Sequence, residues 1–187
     1  QGHSTVLAQI VADQLGLTPE QITVNLELDT QKDAWSIASG NYSSRFAAAV
    51  GSAGYLAAKR VRDKLAQIAS GFLNVPAQEI DFADGRIFAR DNSENYARFY
   101  RTAALAHWSP GSLPEGMEPG VRERAAWSPP ELNASNEKGE INSELAYGFI
   151  FDFCGVEIDP ESYDIRIDKY VTAHECGTIL NPAIVDG

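Results

Sequence analysis

Two short segments combine the residue types that bind an oxygen-rich anion at the start of a helix. Gln1-Gly2-His3-Ser4-Thr5 leads directly into a helical pattern, and Gly40-Asn41-Tyr42-Ser43-Ser44-Arg45 opens a second one. Backbone N–H groups are unpaired at a helix N-terminus, the helix dipole is positive there, and glycine lets a ligand approach the backbone. Each segment also has a simpler interpretation, an ordinary start capped by Ser4, Thr5 or Ser43. Convergence of the two starts on one ligand is a hypothesis.

The histidines and cysteines do not form a recognised metal motif. None of the CxxC, HxxxH or HExxH spacings occurs, so no protein-ligated metal site is predicted. The residues considered are His3, His107, His174, Cys154 and Cys176. The segment 174–177 could suggest a thiol nucleophile, but neighbours along a strand end need not share a face. A buried, structural Cys176 is the favoured interpretation.

Composition and charge exclude several classes of protein. The 187 residues are 44% hydrophobic and 22% charged, which is typical of a soluble globular protein. The net charge of −11 disfavours nucleic-acid binding and attraction to an anionic membrane. The longest apolar stretch, 46–58, is shorter than the roughly 20 residues of a membrane span. Because two cysteines make no disulfide framework, we expect a cytoplasmic protein, with the periplasm left open, and a chain cut from a longer one.

The hydrophobic pattern predicts a helix, a turn and a strand in the first part of the chain. Apolar residues follow helical spacing from Val6, and Gly16 supplies a stop. Thr18-Pro19-Glu20-Gln21 has the N-cap, the proline and the glutamine of a capping box, which predicts one helical turn. Alternation of apolar and polar residues over 22–28 then predicts a half-buried strand.

A second unit repeats this order around a longer helix. Apolar spacing predicts a helix over 43–70, whose alanines and glycines allow a neighbouring backbone to approach closely. A proline turn and a strand follow, Asp84-Gly85 predicts a tight hairpin, and residues 96–108 are predicted to form a third helix. Residues 1–107 are therefore expected to form two helix-to-strand units of an α+β fold with a mixed sheet.

The chain then loses its regular pattern. Five of the nine prolines lie between Pro110 and Pro130. They predict an irregular segment over 108–142 that serves as a lid, a subunit-contact loop or a surface excursion.

A long antiparallel hairpin is predicted within 143–187. Its strands are expected over 146–157 and 163–173, joined by the turn sequence Asp159-Pro160-Glu161-Ser162. Centred on that turn, Cys154 lies opposite about Ile167. Cys176 is then too far along the hairpin for a disulfide.

Three stretches of the sequence occur in a familiar order. They are Gln1-Gly2-His3-Ser4-Thr5, Tyr42-Ser43-Ser44-Arg45-Phe46 and Ala173-His174-Glu175-Cys176-Gly177-Thr178-Ile179-Leu180-Asn181-Pro182-Ala183. Their order and separations resemble the molybdenum-binding subunit of the xanthine dehydrogenase and aldehyde oxidase family over nearly the whole chain, except for the proline-rich segment. The resemblance implies an α+β domain, with a mixed sheet and a long Ala-rich helix, that forms part of the second molybdopterin-binding lobe.

The resemblance also implies a cofactor, partners and a reaction. The cofactor is molybdenum-molybdopterin, in bacteria often in its cytosine dinucleotide form, working with [2Fe–2S] and FAD modules. The reaction hydroxylates an aldehyde or an N-heterocycle with oxygen from water. Gln1 and Gly2 match the loop that touches the pterin, and the matching phosphate-holding residues are Ser43, Ser44, Arg45 and Phe46. The turn 177–182 is expected to be structural.

The catalytic machinery of that family is expected to lie outside this chain. Its general-base glutamate follows the Asn-Pro motif and its substrate loop precedes the Gln-Gly motif, so none of Glu157, Glu161 or Glu175 is assigned a catalytic role. The chain should not turn over a substrate alone. An alternative of a different class is a non-catalytic α+β interaction module that docks a partner through its Pro-rich segment.

Overall fold

A computed structural model describes residues 1–27, 29, 31, 44–129, 132–142, 144 and 146–186. The chain divides into two compact units, Gln1–Pro130 and Glu131–Gly187. The division into three segments at residues 107 and 142 stays a prediction.

The described part of the first unit combines helices with one antiparallel sheet. Its elements are α1 (His3–Leu15), α2 (Ser52–Leu73), β1 (Ile80–Ala83), β2 (Arg86–Ala89), β3 (Asn92–Arg98) and α3 (Phe99–Trp108). The α+β class and the long helix are confirmed. The expected mixed sheet is not found among the described strands, which pair antiparallel in the order β1-β2-β3, because loops as short as Asp84-Gly85 cannot make a parallel crossover. None of the described helices has both the length and the apolar character that crossing a membrane requires.

The first helix ends where the sequence predicts. Gly16 has a φ of 62° and its N–H donates to the carbonyl of Ala12, which is a left-handed C-cap. The capping box is also confirmed, since the Thr18 N–H donates to Oε1 of Gln21 at 2.9 Å. The strand expected over 22–28 is wrong for its described residues 22–27, which have no strand partner within the described chain. Alternation predicts an extended backbone but does not supply a partner for it.

The long helix begins with an unusual turn. Ser43, its expected first residue, lies outside the described residues. Phe46–Gly51 forms a π-helical turn that continues directly into α2, and α2 ends at Leu73 rather than at residue 70. Asn74, with a φ of 55°, provides its left-handed stop. Turns of this type are rare and occur mostly as single turns inside α-helices, often at functional sites.

The core of the first unit lies between α2, the sheet and α3. Leu65 and Ile87 are 0% exposed. Thr102 is also 0% exposed, and its hydroxyl donates to the carbonyl of Arg98 at 3.1 Å, which satisfies it. The other apolar members of this cluster are Leu15, Ala66, Ile68, Ala69, Leu73, Ile80, Phe82, Phe99 and Ala106.

The start of the third helix differs from the prediction. Residues 96–98 belong to β3, where Phe88 pairs with Tyr96 and Ile87 with Ala97. The guanidinium of Arg86 lies 4.5 Å from the centroid of the Tyr96 ring, which holds that side chain on the sheet. Pairing with β2 therefore outweighs the helical spacing of these residues.

Part of the proline-rich segment packs against the core. Leu113, Met117 and Val121 are partly buried against it, although their spacing shows no helix or strand period. Regular structure in the described part of 109–142 is limited to a 3-10 turn, Pro110–Ser112, and an isolated bridge between Asn133 and Asn142. The irregular backbone agrees with the sequence, but the spacing of these three apolar residues does not predict their packing on the core.

An ion-pair cluster joins α1, α2 and β1. Arg62 donates to the carbonyl of Gln14 at 2.9 Å and to the carboxylate of Asp81 at 3.0 Å. The hydrogen bond from Arg90 lowers the pKa of Asp81, and the charges of both arginines act in the same direction. Because the folded-state pKa is lowered, the cluster stabilises the fold above the ordinary pKa of an aspartate. That contribution is lost as the pH falls through the lowered pKa.

The second unit contains the predicted hairpin. Its elements are β4 (Phe149–Ile158), β5 (Ile165–Glu175) and α4 (Pro182–Val185), and β4 and β5 pair antiparallel. The expected register is wrong, because Cys154 pairs with Tyr170 rather than with Ile167. The turn is centred one residue later than expected, and a bulge between Gly155 and Val156 adds one more position.

Both strands of this hairpin are exposed along their whole lengths. The large apolar side chains exposed on β4 are Phe149, Ile150, Phe151, Phe153, Val156 and Ile158. Cys154 and Cys176 are both free and exposed, so the expectation of a buried Cys176 is wrong for this chain. Asn181, with Pro182 after it, caps α4 by accepting a hydrogen bond from the N–H of Ile184 at 3.2 Å.

Candidate functional site

The start of α1 is built around a glycine in a left-handed conformation. Gly2 has φ 70° and ψ 12° and serves as the N-cap, and Gln1 is exposed just before it. No side chain caps this helix end, so capping by Ser4 or Thr5 is not observed. The first turn of an α-helix has backbone N–H groups without intrahelical partners, which is the arrangement that binds anions.

The second helix start also follows a residue in a left-handed conformation. Ser44 has a φ of 53°, which is uncommon for a residue other than glycine, and Arg45 follows in a helical conformation. Phe46 is the first residue of the π-turn, and the N-cap residue Arg45 makes no side-chain capping hydrogen bond. Non-glycine residues with positive φ concentrate at ligand clamps and active sites, because the surrounding structure must hold them there.

The two helix starts lie at the same end of the first unit. The rings of His3 and Phe46 stack with their centroids 4.4 Å apart and an angle of 13° between their planes. Further along, Arg62 on α2 reaches the carbonyl of Gln14 near the end of α1. The first turns of both helices therefore lie close together, and so do their positive dipole ends.

Close packing behind the starts keeps the helices together. A Cβ at Gly51 would lie 3.3 Å from Cδ1 of Ile10, and one at Gly54 would lie 2.4 Å from Cδ1 of Leu7. Glycine at these positions lets α1 approach the backbone of the π-turn and the first turn of α2. The sequence predicted close approach of a neighbouring backbone, whereas the atoms of α1 that meet these two glycines are side-chain atoms.

These groups suit an extended, oxygen-rich anion. Two helix starts supply backbone N–H donors and positive dipole ends, Ser44 adds a hydroxyl, and Arg45 adds a guanidinium. In a chain with a net charge of −11, attraction to an anion must come from local geometry of this kind. The residues present therefore fit the phosphate-bearing part of a cofactor.

His3 is the member of this arrangement that the motif analysis assigned no role at the helix starts. The sequence places His3 within the first anion-binding segment and among the possible metal ligands, whereas in the structure its ring contacts Phe46 across the two starts. The position of this histidine directly after Gly2 predicts an aromatic ring at the first helical residue, but the sequence does not indicate that the ring stacks on Phe46.

The other candidate residues of the sequence lie elsewhere and serve local roles. His107 accepts a hydrogen bond from the N–H of Val121 at 3.2 Å, and Glu175 accepts one from the N–H of Gly177 at 2.8 Å. Glu157 pairs with Arg166 on the surface of the hairpin. Within the described residues, no group of three or more His, Cys, Asp or Glu side chains is placed to hold a metal ion.

Comparisons with known proteins identify the family of this chain. The family model of the molybdopterin cofactor-binding domain matches residues 1–187. The nicotine 6-hydroxylase large subunit of Paenarthrobacter nicotinovorans is 32% identical over 100% of this chain and 21% of its own length. The carbon monoxide dehydrogenase large chain of Hydrogenophaga pseudoflava is 29% identical with the same coverage.

Solved structures show the same fold. The quinoline 2-oxidoreductase of Pseudomonas putida 86 superposes with a TM-score of 0.76 at 27% identity, over 99% of this chain and 21% of that one. A Cu,Mo carbon monoxide dehydrogenase in its carbon monoxide reduced state gives 0.76 at 25% identity, with the same coverage of both chains. This chain thus spans 21% of the length of the relatives that it matches.

The whole-chain match includes both helix starts, the proline-rich segment and the hairpin, and two kinds of comparison lead to large subunits of the same type. The chain therefore belongs to the molybdopterin cofactor-binding domain family, as a part of the molybdopterin-binding subunit of the molybdenum hydroxylases.

Proposed function

We propose that the two adjacent helix starts hold the phosphate-bearing part of the molybdopterin cofactor. Gln1 and Gly2 lie against the pterin, and the second start supplies the phosphate contacts through Ser43, Ser44, Arg45 and Phe46. The observation that carries this proposal is the stack of His3 on Phe46, because it brings two helix N-termini to one place. Membership of a molybdopterin cofactor-binding family supports molybdopterin as that ligand.

The full-length protein is proposed to be an oxidoreductase of the xanthine dehydrogenase and aldehyde oxidase type. It would hydroxylate an aldehyde or an N-heterocyclic substrate with water as the oxygen source. The names of the nicotine and quinoline enzymes among its relatives support the N-heterocyclic class. Its general base and substrate pocket lie outside this chain.

Cofactor form, partners and location complete the proposal. The cofactor is proposed to be the cytosine dinucleotide form, and FAD and [2Fe–2S] groups are assigned to partner subunits or domains. A relative described as the gamma subunit of the 6-hydroxypseudooxynicotine dehydrogenase complex supports a multi-subunit assembly. The proposed location is the cytoplasm.

Within such an enzyme this chain has a cofactor-binding role. When bound, the molybdenum cofactor supplies two-electron oxidation chemistry. The residues of the two helix starts bind the anionic part of the cofactor and orient it, so that its reactive end has one position relative to the substrate pocket. Gly2 does this through its backbone, and Arg45 through charge.

Molybdenum content tests this function directly. Purified full-length holoenzyme should contain about one molybdenum per chain, together with an organic pterin that carries phosphate. Metal analysis by mass spectrometry and phosphate analysis of the released cofactor provide the measurement. Holoenzyme that contains no molybdenum would contradict the proposal. The isolated 187-residue chain is not suitable for this test, because it spans only 21% of its relatives.

The paired substitution Ser44→Ala with Arg45→Ala should reduce cofactor occupancy much more than stability. Hydrogen bonds to charged groups contribute about 1.5–3 kcal/mol, so cofactor affinity should fall about tenfold or more. The melting temperature of cofactor-free protein should change little, because the stability of this helix comes mainly from the apolar face that it packs on the core rather than from its first turn. Cofactor content and thermal melting of the full enzyme are measured in parallel.

A matched control removes the same groups elsewhere. Ser93→Ala with Arg101→Ala changes two exposed residues of β3 and α3 and should leave cofactor content unchanged. If the Ser44 and Arg45 variant loses fold and cofactor equally, the two residues act as a structural helix start rather than as a binding site.

The interaction-module alternative is less well supported by the structure. It requires the Pro-rich segment to display its apolar side chains to a partner, but Leu113, Met117 and Val121 pack against the core of their own unit. The family model also matches the whole segment as part of a cofactor-binding domain.

A further inference from the structure

The stack of His3 on Phe46 occupies a special position in the site. His3 is the first residue of α1 and follows Gly2, whereas Phe46 is the first residue of the π-turn and lies two residues after Ser44; both Gly2 and Ser44 have a positive φ. The rings are nearly parallel, with their centroids 4.4 Å apart. The contact therefore joins the two turns whose amides are proposed to bind the cofactor.

Two further contacts between α1 and the second helix lie beyond the starts. Ile10 lies against Gly51 and Leu7 against Gly54, one to two turns beyond the starts. The ends of helices fray, because their terminal backbone groups lack intrahelical partners. Without a side-chain contact at the starts themselves, the spacing between the two sets of amides would vary.

We propose that His3 is a positioning residue that sets this spacing through its ring stack on Phe46. The inference rests on the proposed function, because the spacing matters only if both starts bind one anionic group. A preorganised pair of starts binds such a group without first having to order the turns. The role belongs to the face of the imidazole ring, which a phenylalanine can reproduce, and not to its nitrogens.

The test compares variants of His3 in the full-length enzyme. His3→Ala removes the ring, His3→Phe keeps a stacking face without ring nitrogens, and His3→Gln keeps a polar group without an aromatic face. The readouts are molybdenum per chain, the rate at which the pterin cofactor is released during mild heating, and the melting temperature of cofactor-free protein. Tyr100→Ala, which removes a ring from the Phe99–Tyr100 pair on α3, is the matched control.

The expected results follow from the role of the ring face. His3→Ala and His3→Gln should release cofactor about fivefold faster, whereas His3→Phe should stay within about twofold of the wild type. Tyr100→Ala should not change the release rate. In a Phe46→Leu background, His3→Ala should have little further effect, because its stacking partner is already gone.

Three outcomes would overturn the inference. Equally fast cofactor release from His3→Phe and His3→Ala would show that the ring nitrogens act. A fall in the melting temperature of cofactor-free His3→Ala that accounts for its faster release would show a purely structural role. An unchanged release rate in His3→Ala would show that the stack has no role. The Ser44 and Arg45 variant separates this failure from that of the proposed function. If that variant loses cofactor while His3→Ala does not, only the positioning role fails.

Discussion

Gly16→Ala should destabilise the first unit by about 3 kcal/mol or more. An added Cβ would lie 2.4 Å from the carbonyl carbon of Phe82 and 2.5 Å from the backbone nitrogen of Ala83, so β1 would have to move. The residue also has a φ of 62°, which alanine adopts at a cost. Movement of β1 would break the hydrogen bond from the Gly85 N–H to the Gly16 carbonyl, which measures 2.8 Å.

Hydrogen exchange of the full-length protein measures this effect, because local opening of α1 and β1 can be followed within a large chain. Two controls separate the causes. Gly85→Ala has a similar φ of 70° but nothing within 4 Å of the new Cβ, so it should lose only about 1 kcal/mol. Gly71→Ala, within α2 and also in open space, should be neutral or slightly stabilising. Exchange in Gly16→Ala no faster than in Gly85→Ala would contradict the close contact with β1.

Leu65→Ala should have an effect of similar size. Leu65 is 0% exposed at the centre of the core cluster, and truncation of a buried leucine costs about 3–5 kcal/mol, because transfer energy is lost and a cavity remains. We expect faster hydrogen exchange throughout α2, β2 and α3, together with a lower melting temperature of cofactor-free protein.

Leu26→Ala is the control for this prediction. Leu26 is 74% exposed, so its truncation should change stability by no more than about 0.5 kcal/mol. A similar effect of the two substitutions would show that Leu65 does not lie in a closed core. A cost at Leu65 below about 1 kcal/mol would show that the surrounding helices collapse around the lost side chain.

Features specified by local residue chemistry could be predicted from the sequence. Gly16 stops α1 because it tolerates the left-handed conformation, and Asp84-Gly85 makes a tight hairpin because both residues accept positive φ. The capping box at Thr18 needs only residues within one turn.

Features that depend on a distant partner could not be predicted. The start of β3 is polar, with Asn92-Ser93-Glu94-Asn95, and it is a strand because β2 offers it backbone hydrogen bonds. Residues 22–27 have the better strand pattern but no described partner. A single bulge at Gly155 changes the register of β4 with β5, and no periodic pattern reveals it.

The candidate site divides in the same way. Anion-binding potential at each helix start follows from Gly2, Ser44 and Arg45 and was predicted from their types. The convergence of the two starts depends on the stack of His3 on Phe46, which joins residues far apart in the chain. Sequence periodicity carries no information about such a contact.

The π-turn Phe46–Gly51 also affects how relatives of this chain should be aligned. Each residue of an α-helix turns the chain by about 100°, so removing one codon from the Ala47-Ala48-Ala49 run would convert the wide turn into a regular one and rotate everything before it by that angle. Phe46 would then leave His3, while Gly51 and Gly54 stayed against α1. The number of residues in this short run therefore determines whether Phe46 faces His3. A one-residue gap there should alter the site more than several substitutions do.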